Sequence, residues 1–529
     1  MSSSNGSGRA PVAIMANSTR VTSGIDVHQK LMTAALALGN ILRGTFGPRG
    51  LDKMMYKTNG TTAVTNDGAK IISELLVKHP AAKAFISLGQ SQESACGDGV
   101  TGSILFAAEL MRESSRLLRK GLHPLIIIEG WRKALNVASQ TIESSSNKVN
   151  KDTLVKVAAT SLVGKGAEGA VELFSELVVE ASTLISNSLG DDEEVKAEHV
   201  MMAIADRGTL RDSRLIDGII IQKRTANEKV PRSIDNVIIA LLSCPLEFEG
   251  PSRDSEIEVT SPEQLSAFIE AGKNQLEKIV ELVQSSGCNA VLTTGACDPQ
   301  VLHKLSEYGV FILADVDAAE VSNVAKATGA KVVDLLRDLT ETDLGACRRL
   351  RVDRREGAES IEERIIISGC ESPKMVTLEI GGANGIASEE VIRGLHDSLK
   401  ATTLAMRTSS IINGGGHIHC LAALDIRASA EGVAGRERLA MESFARALET
   451  IPFTLATNAG KDGLDAILEL RAGLRQTETE ALGITSNGQV GSVGEVWIPA
   501  ASLSSAISGA FETTSSLLRV DQVISARGD

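Results

Sequence analysis

The segment Thr45-Phe46-Gly47-Pro48-Arg49-Gly50-Leu51-Asp52-Lys53-Met54 decides how this sequence folds. It follows a stretch in which apolar residues recur at three- and four-residue spacing, namely Leu31, Ala34, Ala35, Leu38, Ile41 and Leu42. That spacing predicts one buried face of an α-helix. The helix is expected to end at Gly44, because the glycines and the proline that follow favour a tight turn.

Three further segments combine glycine with polar residues at predicted helix junctions: Asn66-Asp67-Gly68, Gly97-Asp98-Gly99-Val100-Thr101 and Gly414-Gly415-Gly416. Glycine lets backbone N–H groups approach an anion, and a helix N-terminus adds partial positive charge. An aspartate beside such a turn binds phosphate only through a cation such as Mg²⁺. Each turn alone is more often an ordinary turn, so the four together indicate, without deciding, a nucleotide site.

Composition limits the class of protein. The 529 residues are 43% hydrophobic and 23% charged, and 54 Lys+Arg against 67 Asp+Glu give a net charge of −13. This is typical of a multidomain globular protein that binds neither nucleic acid nor an anionic membrane. No apolar run reaches the ~18–20 residues that span a bilayer. Seven scattered cysteines without a C-x-x-C motif favour reduced thiols, and hence a cytoplasmic protein.

The secondary-structure pattern changes twice along the chain. Residues 26–145 predict long helices, two of them over 69–88 and 101–120. Residues 214–368 alternate strands with helices, which predicts a small parallel or mixed sheet covered by helices. One of these helices is expected to start after Ser261, which is followed by proline and, at the third position, Gln264. Residues 389–529 return to helices, so an α/β segment is inserted into a helical domain.

The glycine-rich segments resemble those of group II chaperonins, the family of the archaeal thermosome and eukaryotic CCT/TRiC. Residues 45–54 are similar to T-L-G-P-K-G-x-D-K-M, and residues 64–69 read V-T-N-D-G-A as in the family. Other matches are H-P-A-A-K at 79–83, G-D-G at 97–99, T-S-x-x-G-K-G at 160–166, K-A-T-G-A at 326–330 and N-A-G at 458–460. The matches are collinear over about residues 10–526.

The resemblance implies a multidomain α and α/β chaperonin fold. A mostly helical equatorial domain would comprise residues 1–146 and 402–529. A small intermediate domain would comprise 147–213 and 369–401, and an α/β apical domain 214–368. A helical protrusion at about 246–275 would act as a built-in lid.

The resemblance also implies an ATP/ADP site with Mg²⁺. Asp98 would bind the metal, and Asp67 and Asp397 would be catalytic, Asp67 by holding the attacking water and Asp397 by activating it. Lys165 would reach the γ-phosphate. The nucleotide-binding residues carried over from the family are Gly47, Pro48, Gly99, Val100, Thr101, Gly102, Lys165, Gly415, Asn458, Ala459 and Ile498. Asp397 would lie on the intermediate domain, so hydrolysis would depend on closure of that domain.

The sequence departs from the family pattern at several of these positions. Val100 replaces a threonine, and Ile498 stands where an acidic residue contacts the ribose. The family's G-G-G-A-x-E-x-E reads Gly414-Gly415-Gly416-His417-Ile418-His419-Cys420-Leu421 here, so that two carboxylates are lost and His417, His419 and Cys420 follow the triple glycine. These three are zinc-ligand types, although polar replacements near a subunit contact explain them better.

The function that the resemblance implies is an ATP-hydrolysing chaperonin subunit that encloses unfolded proteins. Its partners would be client proteins and other copies or paralogues, in a double ring with eight subunits per ring. The alternatives are a ring subunit with weak or lost ATPase, which Val100 and Ile498 suggest, and a small-molecule α/β enzyme. No glycine-rich dinucleotide turn or nucleophile–base set supports the enzyme.

Overall fold

The computed structural model describes residues 20–23, 25–56, 62–77, 79–167, 169–190, 193–225, 230–247, 261–356, 361–382, 386–476 and 480–525. The chain divides into two compact units, residues 1–165 with 408–529 and residues 166–407. The three-domain division is finer than these two units and stays a prediction. Of the predicted protrusion, residues 248–260 lie outside the described residues.

Within the described residues there are sixteen α-helices. They are α1 Ile25–Arg43, α2 Gly68–Glu74, α3 Pro80–Cys96, α4 Val100–Arg119, α5 Pro124–Ser144, α6 Lys151–Leu162, α7 Val171–Ser188, α8 Pro262–Ser285, α9 Pro299–Glu307, α10 Ala318–Thr328, α11 Ile386–Thr408, α12 His417–Glu431, α13 Glu437–Leu448, α14 Thr450–Asn458, α15 Gly463–Gln476 and α16 Ala500–Leu518.

The same part of the chain forms nineteen strands. They are β1 Arg20–Ser23, β2 Lys53–Tyr56, β3 Thr62–Thr65, β4 Asn147–Lys148, β5 Val200–Ile204, β6 Arg214–Ile216, β7 Ile219–Gln222, β8 Ser233–Leu242, β9 Ala290–Thr293, β10 Phe311–Leu313, β11 Val332–Val333, β12 Gly345–Glu356, β13 Ile361–Ser368, β14 Val376–Ile380, β15 Ser410–Asn413, β16 Leu482–Ile484, β17 Val490–Ser492, β18 Trp497–Pro499 and β19 Gln522–Ser525.

The first unit is a helical bundle in which α4 contacts α1, α3, α13 and α16. Phe106 on α4 meets Phe444 on α13 edge to face, with ring centroids 5.2 Å apart. Trp131 on α5 is fully buried, and its indole N–H donates to the hydroxyl of Ser443 over 2.9 Å. Small sheets pair chain segments that are distant in sequence, such as β15 with β18 and β4.

The helix predicted over residues 69–88 is two helices, so that prediction was wrong at its centre. Helix α2 ends at Glu74, and α3 begins at Pro80 behind His79, whose ring nitrogen accepts from the N–H of Ala81. Proline has no N–H to donate within a helix and is well placed at a first helical position. The apolar spacing continues across the break, which is why periodicity alone missed it.

The second unit contains a seven-stranded mixed sheet in the order β10-β9-β8-β12-β13-β7, with β11 paired to β8. Strands β8 to β11 are parallel, while β12, β13 and β7 are antiparallel. Along β8, Ile239 and Leu241 enter one core, and Ala240 and Leu242 enter another core with α8 and α9. The mixed sheet predicted for this region is confirmed, and so is the Ser261 cap, whose hydroxyl accepts from the N–H of Gln264 over 3.2 Å.

A buried carboxylate holds three helices of the first unit together. Glu449, between α13 and α14, is 4% exposed. Arg427 on α12 donates to both of its oxygens, over 2.7 and 2.6 Å, and Arg471 on α15 donates from Nε over 2.6 Å. Two guanidinium groups therefore neutralise one buried charge and satisfy its oxygens.

We expect Glu449→Gln to destabilise this junction by about 2 kcal/mol, the usual contribution of a hydrogen bond to a charged group, because it leaves two partly exposed cations without their anion. Hydrogen exchange measured by mass spectrometry should show faster exchange along α12 and α15. Glu442→Gln is the matched control, since the Glu442–Arg438 pair lies at the surface and exposed pairs contribute about 0–1 kcal/mol. Equal exchange in the two variants would contradict the role given to Glu449.

Candidate functional site

The turn after α1 is held by backbone and side-chain hydrogen bonds. The N–H of Gly50 donates to the carbonyl of Gly47 over 2.9 Å. Gly47 has φ +85°, and a Cβ there would lie 2.4 Å from Cδ2 of Leu455. Asn458 donates to the carbonyls of Arg43 and Phe46, each over 2.8 Å. The end of α14 thereby fixes the shape of the turn that contains Gly47 and Pro48.

Asp67 begins α2. Its two carboxylate oxygens accept from the N–H groups of Ala69 and Lys70, over 2.9 and 3.2 Å. An N-cap carboxylate is stabilised by the partial positive charge of the helix N-terminus. The neighbouring Asn66 donates from its side chain to the carbonyl of Gly164. The position of Asp67 is therefore fixed by its own helix and by the segment that follows α6.

The turn between α3 and α4 carries Asp98. Both flanking glycines have positive φ, +70° at Gly97 and +87° at Gly99. The Asp98 carboxylate accepts from the N–H of Gly99 over 2.8 Å, and its backbone carbonyl accepts from Gln92 over 3.0 Å. Gln92 also donates to the carbonyl of Ser502 over 3.1 Å. A buried amide therefore ties the turn to α16.

Among the residues that the structure describes, no side chain caps the N-terminus of α4, and no acidic residue lies in the first turn of this helix. The N–H groups of Val100, Thr101 and Gly102 are thus available to an anion, as at other phosphate-binding helix N-termini. The Val100 side chain is 4% exposed and belongs to the hydrophobic core. Any contribution of Val100 to phosphate binding therefore comes from its backbone.

Four of the predicted segments meet in the first unit. The Lys165 ammonium lies 3.6 Å from the Asp98 carboxylate. A Cβ on Gly164 would lie 3.5 Å from the carbonyl oxygen of Gly47, and one on Gly68 would lie 2.3 Å from the hydroxyl of Thr101. The result is a group of glycine-rich backbone turns that bring together the Asp98 carboxylate and the Lys165 ammonium.

The remaining predicted residues of this unit lie around α14, β15 and β18. Ile498 on β18 pairs with Ile412 on β15. Gly415 has φ +61°, and its carbonyl accepts from the N–H of Ile484 over 2.7 Å. Ala459 directly follows Asn458 at the end of α14. Because both donors of the Asn458 amide are used on the Gly47 turn, only its oxygen is left to contact a ligand.

Asp397 belongs to the second unit. It lies on α11 and is 5% exposed, between the buried residues Leu395 and Leu399. A buried carboxylate within a helix is unusual, since aspartate is neither a good helix former nor a common core residue. The burial of Asp397 shows that it is not a solvent-facing residue of the helix, which was the structural alternative to a functional role.

The donor set suits a magnesium ion that is shared with phosphate. No group of three or more His, Cys, Asp or Glu side chains that could hold a metal occurs in the described part of the chain. Mg²⁺ commonly uses one or two carboxylates together with substrate phosphates and water, rather than a complete protein cage. Asp98, beside the uncapped helix N-terminus, fits that requirement.

The histidines after the triple glycine do not form a metal site in the structure. The His417 ring lies 2.7 Å from the carbonyl of Leu482, and burial lowers the pKa of His419 to about 4. Burial also raises the pKa of the Cys420 thiol to about 12. His419 is therefore neutral and Cys420 protonated near neutral pH. Both side chains are uncharged parts of the protein interior next to Gly416.

The positioning role of two residues was not predicted from the sequence. They are Asn66, which joins the Asp67 segment to Gly164, and Gln92, which fixes the Asp98 turn. Gln92 lies on the buried face of α3 and is 2% exposed. A glutamine on an otherwise apolar helix face was the one available signal, because buried amides almost always have partners.

Comparison with known proteins identifies the family of this chain. A family model described as the TCP-1/cpn60 chaperonin family matches residues 38–528. Thermosome subunit alpha of Archaeoglobus fulgidus is 34% identical over 523 residues, which cover 98% of this chain and 95% of that protein. The thermosome subunit of Methanocaldococcus jannaschii is 35% identical over 525 residues, with 98% and 95% covered. No helix in the described ranges is both long and apolar enough to cross a membrane.

We expect Asn458→Ala to loosen the Gly47 turn, since two carbonyls lose their donor. Without nucleotide, amides of residues 45–51 should exchange faster by hydrogen-exchange mass spectrometry. This measurement separates positioning of the turn from direct contact with a ligand, which would leave the free protein unchanged. Asn413→Ala, which removes a single 3.3 Å bond to the carbonyl of Val493, is the control and should leave residues 45–51 unaffected.

Proposed function

This chain belongs to the TCP-1/cpn60 chaperonin family, and we propose that it is a group II chaperonin subunit that uses Mg-ATP to fold proteins. Its relatives are named thermosome subunits. The observation that carries the proposal is the meeting of the Gly47, Gly68, Asp98 and Gly164 segments beside the uncapped N-terminus of α4. We propose a cytoplasmic subunit that assembles into a ring with other copies or paralogues and acts on unfolded proteins.

The phosphates are assigned to backbone donors. The N–H groups at the start of α4 and in the Gly47–Pro48 turn provide partial positive charge. No flexible side chain has to be ordered for this, so no side-chain entropy is lost. Asp98 is assigned to Mg²⁺, which when bound neutralises charge on the phosphates. Lys165 is assigned to the γ-phosphate. In the structure its ammonium lies 3.6 Å from the Asp98 carboxylate.

The hydrolytic step is assigned to Asp67 and Asp397. Phosphoryl transfer depends mainly on positioning and on charge neutralisation, and a carboxylate that orients the attacking water is a recurrent component. Asp67 is held at the N-terminus of α2 with both oxygens accepting backbone N–H groups. We propose that it positions the water and that Asp397, from the second unit, accepts a proton from it.

A second candidate function is a ring subunit that binds nucleotide and hydrolyses it slowly or not at all. The apolar Ile498 on β18 favours it. An isoleucine cannot accept a hydrogen bond from a ribose hydroxyl, and a lost hydrogen bond costs roughly 0.5–1.5 kcal/mol. Such a loss weakens binding by about two- to tenfold and leaves both proposed catalytic carboxylates in place.

We expect the purified chain to hydrolyse Mg-ATP, and Asp397→Ala to lower steady-state turnover by at least about a hundredfold, the usual contribution of a general base. Isothermal titration calorimetry should show that the variant still binds ATP. Asp465→Ala, at an exposed position on α15, is the control and should keep full activity. Turnover that survives in Asp397→Ala would refute its role. Binding without turnover in the unmodified chain would favour the second candidate.

Lys165→Met should reduce the preference for ATP over ADP by about tenfold, since one charge-assisted hydrogen bond is lost only with ATP. The ratio of the two dissociation constants, measured by calorimetry with Mg²⁺, tests this. Lys156→Met is the control. Lys156 lies in the same unit, forms an ion pair with Glu495 and is assigned no phosphate contact. An unchanged ratio in Lys165→Met would remove Lys165 from the γ-phosphate.

A further inference from the structure

A three-stranded sheet of the first unit carries two of the nucleotide-binding residues that were predicted from the sequence. The order of its strands is β18-β15-β4. Ile498 lies on β18, and Gly415 belongs to the triple glycine that directly follows β15. The N–H of Gly414 donates to the carbonyl of Val496 over 2.8 Å, which extends the pairing of β15 with β18. The sheet and the triple-glycine turn are therefore one hydrogen-bonded structure.

The helix that leads to Lys165 is attached to both edges of this sheet. Helix α6 follows β4, one edge strand, after a link of two residues. It then packs against β18, the other edge strand. The helix ends at Leu162, three residues before Lys165. The position of α6 is thus set by the sheet that carries Ile498.

One hydrogen bond joins α6 to the edge of β18. The backbone N–H of Trp497 donates to the hydroxyl of Thr160 over 3.3 Å. Because β18 is an edge strand, an N–H that it does not use towards β15 needs another acceptor. The Thr160 hydroxyl in turn donates to the carbonyl of Lys156 over 2.8 Å. Its single hydrogen is therefore used within the helix, which leaves its lone pairs for the strand.

A second polar contact between the same parts of the chain is weaker. Lys156 pairs with Glu495, just before β18, over 2.6 Å, but 80% of the Glu495 side chain is exposed. Exposed ion pairs contribute little, since water screens them and two long side chains must be ordered. The bond from Trp497 to Thr160 is therefore the contact that we expect to hold α6 on the strand.

The backbone of Lys165 is tied to the last turn of α6. The N–H of Val163 donates to the carbonyl of Ala159 over 3.1 Å, and the N–H of Lys165 donates to the carbonyl of Leu162 over 3.2 Å. A shift of the last turn therefore moves Lys165 with it. Since its ammonium lies 3.6 Å from the Asp98 carboxylate, such a shift changes where this charge stands in the candidate site.

We propose that Thr160 is a positioning residue for Lys165. By accepting the N–H of Trp497, it holds the last turn of α6 against β18 and thereby sets how strongly the site prefers ATP to ADP. The inference rests on the proposed function, in which Lys165 contacts the γ-phosphate. It adds that this contact depends on the strand that carries Ile498, so that one hydroxyl joins the nucleoside end of the site to its γ-phosphate end.

Thr160→Val tests the inference, because it removes the hydroxyl and keeps the shape and the helix propensity of the side chain. In the full-length chain without nucleotide, amides of residues 163–165 should exchange faster by hydrogen-exchange mass spectrometry. Calorimetry with Mg²⁺ should show that the preference for ATP over ADP falls by about two- to tenfold, the weight of one hydrogen bond, while the affinity for ADP is retained. Thr160→Ser keeps the hydroxyl and should restore both properties.

Two further variants separate positioning from a general loss of stability. Lys156→Met, one turn earlier on α6, removes only the exposed pair with Glu495 and should leave the exchange and the ATP/ADP ratio unchanged. In Thr160→Val/Lys165→Met, the ratio should fall no further than in Lys165→Met alone. Two substitutions that act through the same contact are not additive, whereas independent effects would add.

The possible results distinguish this inference from the proposed function. Unchanged exchange at residues 163–165 in Thr160→Val would overturn the inference, as would equal losses of ATP and ADP affinity or an additive effect in the double variant. A ratio that changes in Lys165→Met but not in Thr160→Val would overturn the inference and leave the proposed function intact. A ratio that changes in neither variant would contradict the γ-phosphate assignment of Lys165, and the inference would fall with it.

Discussion

The absence of side chains at a few glycines is the constraint on which the helical unit depends. A Cβ on Gly68 would lie 2.3 Å from the Thr101 hydroxyl, and one on Gly130 would lie 2.5 Å from Cβ of Ala440. Real Cβ atoms do not approach other heavy atoms so closely, so a larger residue would force α2 from α4, or α5 from α13. The chain is only 3% aromatic and contains 48 glycines. Its helices therefore pack through small residues at short distances, and the backbone turns of the candidate nucleotide site come together as a result.

Buried glutamates held by pairs of arginines fix which elements lie side by side. Three such arrangements occur in the described residues: Glu113 with Arg116 and Arg446, Glu449 with Arg427 and Arg471, and Glu379 with Arg214 and Arg364. A buried carboxylate without its partners is costly, whereas a complete pair adds little net stability over apolar packing. Each arrangement thus penalises other packings more than it stabilises the native one. In the second unit, the Glu379 pairs join β14 to β6 and to β13.

Features that depend on neighbours in sequence could be predicted, and those that depend on distant partners could not. Helix α8 was predicted with its cap, because Ser261 and Gln264 are three residues apart. Asn66 and Gln92 were missed, because their partners Gly164 and Ser502 are 98 and 410 residues away. The family motifs identified the glycine-rich segments, but no local pattern reveals which buried amide holds a turn. The break before Pro80 was a different failure, since the apolar spacing outweighed the proline.

The division between backbone and side-chain donors decides how the departures from the family pattern should act. The proposed phosphate part of the candidate site consists of N–H groups of turns and of the α4 N-terminus, and the Val100 side chain is buried in the core. Replacing a side chain there changes packing while the N–H groups stay in place. The nucleoside part differs, because Ile498 and the Asn458 oxygen are side-chain contributions. Losses should therefore fall on nucleoside affinity and selectivity, while phosphate binding and the placement of Asp67 and Asp98 are preserved. If the proposed function holds, a chain altered in this way would keep the chemical step and change the nucleotide concentration at which it operates.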